Sequence, residues 1–257
     1  AFARRYVQLN MLVAMNSLLP YRRAKSIAEN GRTIAPKSSR RPIRILHVVS
    51  RMDRAGVETW LMHLLRHSDR PKFQMDFLVH SEKPAHFDAE IRALGSDLIF
   101  AAPLRRMMRY GTLVKRVLRD RPRYDIVHSH LDCFSGYPLR CAAELDVPVR
   151  IAHVHVDLAP YVSHLRWSRQ AYARYSQSMI RRYATMGVSV TRAAGQPLFG
   201  NWHRPWHLQS YGIDLAPFWP DPVRRDVRAE FGIPEGVTVI GHVGRFAQQK
   251  NHAKAVE

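Results

Sequence analysis

A chain of 257 residues, 46% of them hydrophobic, can hold one complete domain and part of another, and is too apolar for wholesale disorder. Its net charge of +19 suits nucleic acid, anionic membrane or phosphorylated substrates, and charge alone does not choose among them. Two cysteines, Cys133 and Cys141, provide neither a disulfide framework nor a metal-finger spacing, which fits a reducing cytoplasm.

Residues 1–42 read as a basic extension and linker. Residues 1–44 carry ten Lys and Arg against the single acid Glu29. The uncharged stretch 6–21 is too short and too polar to span a bilayer. Met11, Leu12, Met15, Leu18 and Leu19 nevertheless fall on one helical face, which suits either a helix lying on anionic lipid or one docked on its own protein. The chain opens on Ala1, and no signal peptide is read from it. The polar, Pro-containing linker 30–42 marks the first boundary.

Strand-like and helix-like segments then alternate. Residues 43–49 are a continuous apolar strand, followed by a loop through Gly56 and a helix over 58–67. Strands are predicted at 73–79, 97–101, 125–128, 149–153 and 186–190, and helices at 87–94, 112–119, 137–145 and 165–183. Strands apolar throughout and alternating with helices imply a parallel sheet covered on both faces, a doubly wound Rossmann-like α/β domain. A second basic patch, 105–123, has eight Lys and Arg against Asp120; it reads equally as a solvated helix face or a membrane-facing one. From Trp206 the pattern restarts, with a connector "LQSYGID", a Pro-rich stretch, a short helix over 223–231 and an apolar strand over 237–243. The division expected is 43–211 for the first domain and 212–257 for the connector and the first strand and turn of a second.

Three places could carry chemistry. The run "VIGHVGRFAQQKNH" ends a strand at Gly244 and continues through Arg245, Lys250 and Asn251. Glycine permits close backbone approach, and fixed cations suit phosphate oxygens at a strand-to-helix turn. The first strand–helix junction has Gly56 and Glu58, without the spacing of a dinucleotide fingerprint. Two histidine pairs end successive strands: His128, His130 with Asp132, and His153, His155 with Asp157. Strand alternation puts both members of each pair on one face, as metal ligands would need. "HSHLD" partly resembles a metallo-hydrolase motif, but Cys133 follows where a further histidine would be needed. The favoured expectation is one histidine per pair facing a cleft, with the others packed or bonded locally.

"RILHVVSRMDRAGVETWLMHLL", "YDIVHSH", "VRIAHVHVD", "YGIDLAPF" and "IGHVGRFAQQKNH" occur in the order and at the spacings of glycosyltransferase family 4, and the chain resembles its capsular and exopolysaccharide branch over 43–257. The resemblance implies a GT-B fold, two Rossmann-like domains facing across a cleft. It implies a retaining transferase that moves a sugar from a UDP- or GDP-linked donor to a glycan or lipid-linked acceptor, with no metal or other cofactor. By the same resemblance, Gly56 belongs to a flexible acceptor-side loop near the donor phosphates. His155 matches the cleft histidine beside the transferred sugar. Arg245 and Lys250 match the pair that neutralises the diphosphate. His130 and Asn251 are further cleft candidates. Tyr211 departs from the Asn usual before Gly212. The family's acidic E-x7-E element and nucleoside-binding region are expected beyond Glu257, in a further domain of roughly 100–150 residues, so residues 1–257 alone are expected to be inactive.

The expected location is the cytoplasm, at the inner face of the membrane, with peripheral contact to anionic lipid and no specific nucleic-acid partner. Two alternatives stand beside this reading: a non-catalytic basic protein binding anionic lipid or nucleic acid, and a metal-dependent hydrolase built on the histidine pairs.

Overall fold

A computed structural model describes residues 41–101, 107–157, 162–163, 165–215, 226–244, 246 and 250–256. The chain divides into two compact units, residues 1–214 and 215–257.

In the first unit the elements run β1 (Ile43–Val48), α1 (Gly56–His67), β2 (Phe73–Val79), α2 (Asp88–Ala93), β3 (Leu98–Phe100), α3 (Met107–Asp120) and β4 (Ile126–Ser129). A single 3-10 turn (Asp132–Phe134) precedes α4 (Gly136–Ala143), β5 (Val149–Val154), α5 (Trp167–Tyr183), β6 (Met186–Ser189), α6 (Arg192–Phe199) and β7 (Trp206–Leu208). The sheet has seven strands in the order β3-β2-β1-β4-β5-β6-β7, and every pairing is parallel. The doubly wound α/β fold expected from the sequence is therefore present. Its strand order reverses between β1 and β4, the switch point outside which such sheets bind ligands.

Side-chain alternation along each strand builds two cores. On one face Leu46, Val48, Val127, Ala152 and Val154 pack with residues of α3 to α6. On the other, Ile43, Ile45, Ile126, Val149 and Ile151 pack with Trp60, Leu61, Leu64 and Leu65 of α1. Helix α1 opens with Glu58 in its first turn and closes with Arg66 and His67 in its last, charges that complement the helix dipole. The fit between α4 and α5 is tight. A Cβ built on Gly136 would lie 2.2 Å from the Ser176 carbonyl oxygen, and the Gly136 amide donates to Ser176 Oγ at 3.0 Å.

Two expectations need correction. Trp206 does not restart the pattern: β7 pairs with β6, and the Gln209 amide donates to the Ser189 carbonyl at 2.8 Å, so this segment extends the first sheet. The run 237–243 forms no strand. Val237, Val239, Ile240 and Val243 are exposed, Ile240 by 89%, and extended backbone without a hydrogen-bonded neighbour does not hold as a strand in water. Around it the second unit contains only α7 (Val227–Glu230) and α8 (His252–Val256) among the described residues.

The basic patch is partly neutralised by ion pairs. Lys115 on α3 pairs with Glu144 at 2.5 Å and Arg121 pairs with Asp97, while Arg109, Arg116 and Arg119 stay exposed. Arg105, Arg106 and the amphipathic stretch 6–21 lie outside the described residues. Among those described, no helix is long and apolar enough to cross a membrane. Cys133 and Cys141 are buried and unpaired with each other; burial pushes their thiols up to about 12 and about 11.

Candidate functional site

Register brings five histidines together. His47 on β1 stands opposite His128 on β4, and His128 stands opposite Ile151 on β5. Because alternate residues share a face, His47, His128, His130, His153 and His155 all lie on the α1 side of the sheet, at its carboxyl edge. Their rings touch. His47 Nδ1 lies 3.0 Å from His130 Nε2, and His130 Nδ1 lies 3.1 Å from His155 Nε2. His128 Nε2 lies 3.2 Å from His153 Nδ1. His155 Nδ1 in turn lies 2.6 Å from the Tyr211 hydroxyl. Trp60 of α1 closes the cluster, presenting an edge to His153 and stacking on Tyr211 with centroids 5.3 Å apart.

Burial holds these rings neutral. It lowers the pKa of His47 and of His155 from 6.5 to about 3. It also drives His128, His130 and His153 well below the ordinary value, with their neighbouring imidazoles adding to the shift. A charged imidazolium in this apolar setting would lose its hydration without gaining a counter-ion. Asp132 is the nearest candidate counter-ion, and it is used otherwise. With φ of 48° it turns back so that Oδ1 accepts the His155 backbone N–H at 2.6 Å. Burial raises its pKa to about 6, against the lowering effect of the His155 and Val156 amides. Asp132 therefore fixes the backbone at His155 by tying the loop after β4 to the end of β5.

Within each pair one ring is buried and the other only partly so: His130 and His153 are buried, His128 and His155 half-buried. All four strand-end histidines join one cluster, together with His47, which the sequence had offered only as part of an apolar strand. Two overlapping triads, His47–His128–His130 and His130–His153–His155, each bring three ring nitrogens within 4.8 Å of one another. Each neutral imidazole has one lone pair, and the ring-to-ring hydrogen bonds already draw on it in every one of these residues or its partner. Neither Asp132 nor Asp157 joins a triad, so the carboxylate of an HxHxD metal motif is not in place.

Gly56 opens α1 beside a cleft of about 800 Å³ lined by Arg54, Gly56, His63, His86, Tyr211 and Ile213 among others. The helix N-terminus at Gly56 has no side-chain cap, and Arg54 lines the same cleft. A Cβ on Gly56 would meet Tyr211 Cε2 at 3.8 Å, an ordinary contact. Glu58 sits in the first turn of the same helix.

In the second unit, Gly244 and Lys250 lie close together, since a Cβ on Gly244 would be 3.5 Å from Lys250 Cγ. Asn251 adopts φ of 51° immediately before α8, and both Lys250 and Asn251 are exposed. Arg245, the other member of the expected cation pair, lies outside the described residues. Sequence reasoning missed His47, Trp60 and the partnership of Tyr211. The available signal was a lone histidine inside "RILHVV" with the same strand parity as the later pairs.

A seven-stranded, all-parallel doubly wound sheet with its polar cluster at the carboxyl edge of the switch point defines a Rossmann-like domain. Residues 55–205 match the glycosyl transferase 4-like domain, more than half of the chain, and the protein belongs to that family. It is 33% identical over 216 residues to a Bacillus subtilis (strain 168) protein named "Putative glycosyltransferase EpsF", covering 82% of this chain and 56% of that one. Among solved structures, its fold is similar to that of Anabaena HepE in complex with UDP, with a TM-score of 0.57 at 15% identity over 74% of this chain and 50% of the other. HepE with UDP and glucose gives a TM-score of 0.55 at 16% identity, with the same coverage. The chain thus spans about half the length of these relatives.

Proposed function

We propose that this chain is the acceptor-side part, with the start of the donor-side part, of a retaining glycosyltransferase of hexosyl type that uses a UDP- or GDP-linked sugar and a glycan or lipid-linked acceptor. The observation that carries the reading is the histidine cluster at the carboxyl edge of the switch point, in a chain of the glycosyl transferase 4-like family. HepE binds UDP and glucose, which supports a nucleotide-sugar donor here. The relationship to EpsF supports a place in polysaccharide assembly.

In this reading residues 43–211 form the acceptor-side domain and 212–257 the connector and the beginning of the donor-side domain. Departure of a nucleoside diphosphate builds negative charge on its oxygens. Arg245 and Lys250, with the Gly244 backbone, would stabilise that charge more in the transition state than in the ground state. Gly56 and the uncapped start of α1 would meet the phosphates from the acceptor side. Glu58 stands in the same loop, and Asn251 follows Lys250 on the donor side. His155, backed by His130, would stand on the side of the transferred sugar. Fixed cations on the diphosphate make a metal unnecessary. Exposed Arg109, Arg116 and Arg119 suit peripheral contact with anionic lipid at the inner membrane face, where a lipid-linked acceptor would be met. Residues 1–257 alone would lack turnover.

The test is transfer of label from radiolabelled UDP- and GDP-sugars to a lipid extract by the complete gene product, beside residues 1–257 alone. Transfer by the complete product, with retained anomeric configuration and resistance to chelators, is the expected result. Zinc-dependent hydrolysis without transfer would overturn it in favour of a metal-dependent hydrolase on the histidine triads. Salt-sensitive nucleic-acid binding with no transfer would favour the non-catalytic alternative.

A further inference from the structure

Four groups form one continuous chain: His47 to His130, His130 to His155, and His155 to the Tyr211 hydroxyl. A neutral imidazole has one N–H and one lone pair, so the direction of any one of these bonds sets the direction of all. Two settings exist. Either protons point from Tyr211 toward His47, or they point from His47 toward Tyr211.

The contact with Tyr211 decides between them. A phenol O–H is a stronger hydrogen-bond donor than an imidazole N–H, and an imidazole lone pair is a stronger acceptor than a phenol oxygen, so in the 2.6 Å contact the hydroxyl is the donor. Tyr211 therefore donates its O–H to His155 Nδ1. His155 must then donate from Nε2 to His130 Nδ1, and His130 from Nε2 to His47 Nδ1. His47 is left with an Nε2–H that has no partner. That nitrogen and the likewise unpartnered indole N–H of Trp60 belong to residues lining one apolar cavity on the α1 face of the sheet. All three histidines in the chain hold the same tautomer.

Both nitrogens of His155 are consequently committed within the protein, one to Tyr211 and one to His130. His155 is not among the residues lining the cleft at Gly56, whereas Tyr211 is. The Tyr211 oxygen, having given its proton to His155, keeps lone pairs of its own. We infer that Tyr211 is the group through which this cluster meets the sugar, its oxygen accepting a hydrogen bond from a sugar hydroxyl while His155 and His130 act behind it as positioning residues. The sugar contact rests on the transferase reading above; the direction of the proton chain does not. In sequence, Tyr211 stands where the resembling family usually has Asn, so this contact is argued for the present chain alone.

The experiment has two parts. Nitrogen-15 imidazole NMR of the 257-residue protein should show His47, His130 and His155 all protonated on Nε2, with the His155 Nδ1 signal displaced by an accepted hydrogen bond. In Y211F that signal should move to the position of a bare lone pair, while the Nε2–H signals of His47 and His130 persist and report an intact fold. An Nδ1–H form at any of the three overturns the chain's direction. In the complete gene product with UDP-glucose as the probe, Y211F should lower kcat/KM at least tenfold and leave the Kd for UDP unchanged. Wild-type rates in Y211F would overturn the sugar contact alone. Failure of the wild type to transfer, with the NMR pattern intact, would overturn the transferase reading and the sugar contact with it, but not the relay.

Discussion

Two seven-residue runs in this chain look alike on paper and end differently. Residues 43–49 read IRILHVV and residues 237–243 read VTVIGHV. The first becomes β1, paired on both sides and buried on both faces. The second forms no strand and leaves its apolar side chains exposed. Composition gives a segment the capacity to be a strand, but only neighbours supply the hydrogen bonds and the burial that make it one. Where those neighbours exist, in residues 41–214, stability and chemistry are both concentrated. Where they do not, the same side chains are merely apolar surface.

The sharpest way to stress that contrast is acid. The histidine pKa values are lowered in the fold, to about 3 at His47 and His155, so the unfolded chain binds protons that the folded chain refuses. The stability these rings contribute is present above about pH 6.5 and is lost as pH falls toward 3. Each ring costs roughly 1.4 kcal/mol per pH unit over that window. Loss of near-ultraviolet circular dichroism from the first unit should therefore set in steeply below about pH 6. A stability flat from pH 7 to 4 would show that the cluster is not buried and neutral.

Truncation in the core should come next. Leu46→Ala removes a fully buried side chain from β1 and should cost about 2–5 kcal/mol in urea unfolding. Close packing should make Gly136→Ala nearly as damaging, about 1–3 kcal/mol or more, because the obstacle is the Ser176 backbone rather than a movable side chain. A near-neutral result there would mean that α4 and α5 are not in direct contact.

Asp132→Asn should act in the opposite sense. The Asp132 pKa is raised to about 6, so the stability tied to its neutral form is present below about pH 4 and is lost as pH rises through about 6. Asparagine keeps the acceptor for the His155 amide without the charge, and should stabilise the protein at pH 7–8 by roughly 1–2 kcal/mol. No gain at pH 8 would contradict the burial of that carboxylate. The smallest effect belongs to the second run. Ile240→Ala and Gly241→Ala, both in open surroundings, should change stability by less than about 0.5 kcal/mol. A larger loss at either would mean that 237–243 is packed after all.

Much of the first unit was legible because strand and helix periods alternate cleanly and the strands are apolar throughout. The β1, β2 and β5 segments and the long α5 fall within a residue or two of where periodicity puts them. The site was legible only in pieces. His128, His130, His153 and His155 announce themselves as pairs, but their union depends on parallel register across three strands, which one sequence does not display. His47 was hidden because a single histidine in an apolar strand looks like an interruption rather than a fifth member. Tyr211 was visible only as a departure from a family pattern. Its partner is 56 residues away, and nothing local points to it. The 237–243 run misled for the converse reason: its local signal is strong, and among the described residues no strand pairs with it.

Trp60 adds something practical to this arrangement. One indole packs its edge or face against His130, His153, His155 and Tyr211 together. Its emission is therefore a native optical gauge of the cluster, responding to a proton, a displaced tyrosine or an arriving sugar without any label being attached. With Trp167, Trp202, Trp206 and Trp219 replaced, the remaining fluorophore would read events at the carboxyl edge of the sheet as they happen.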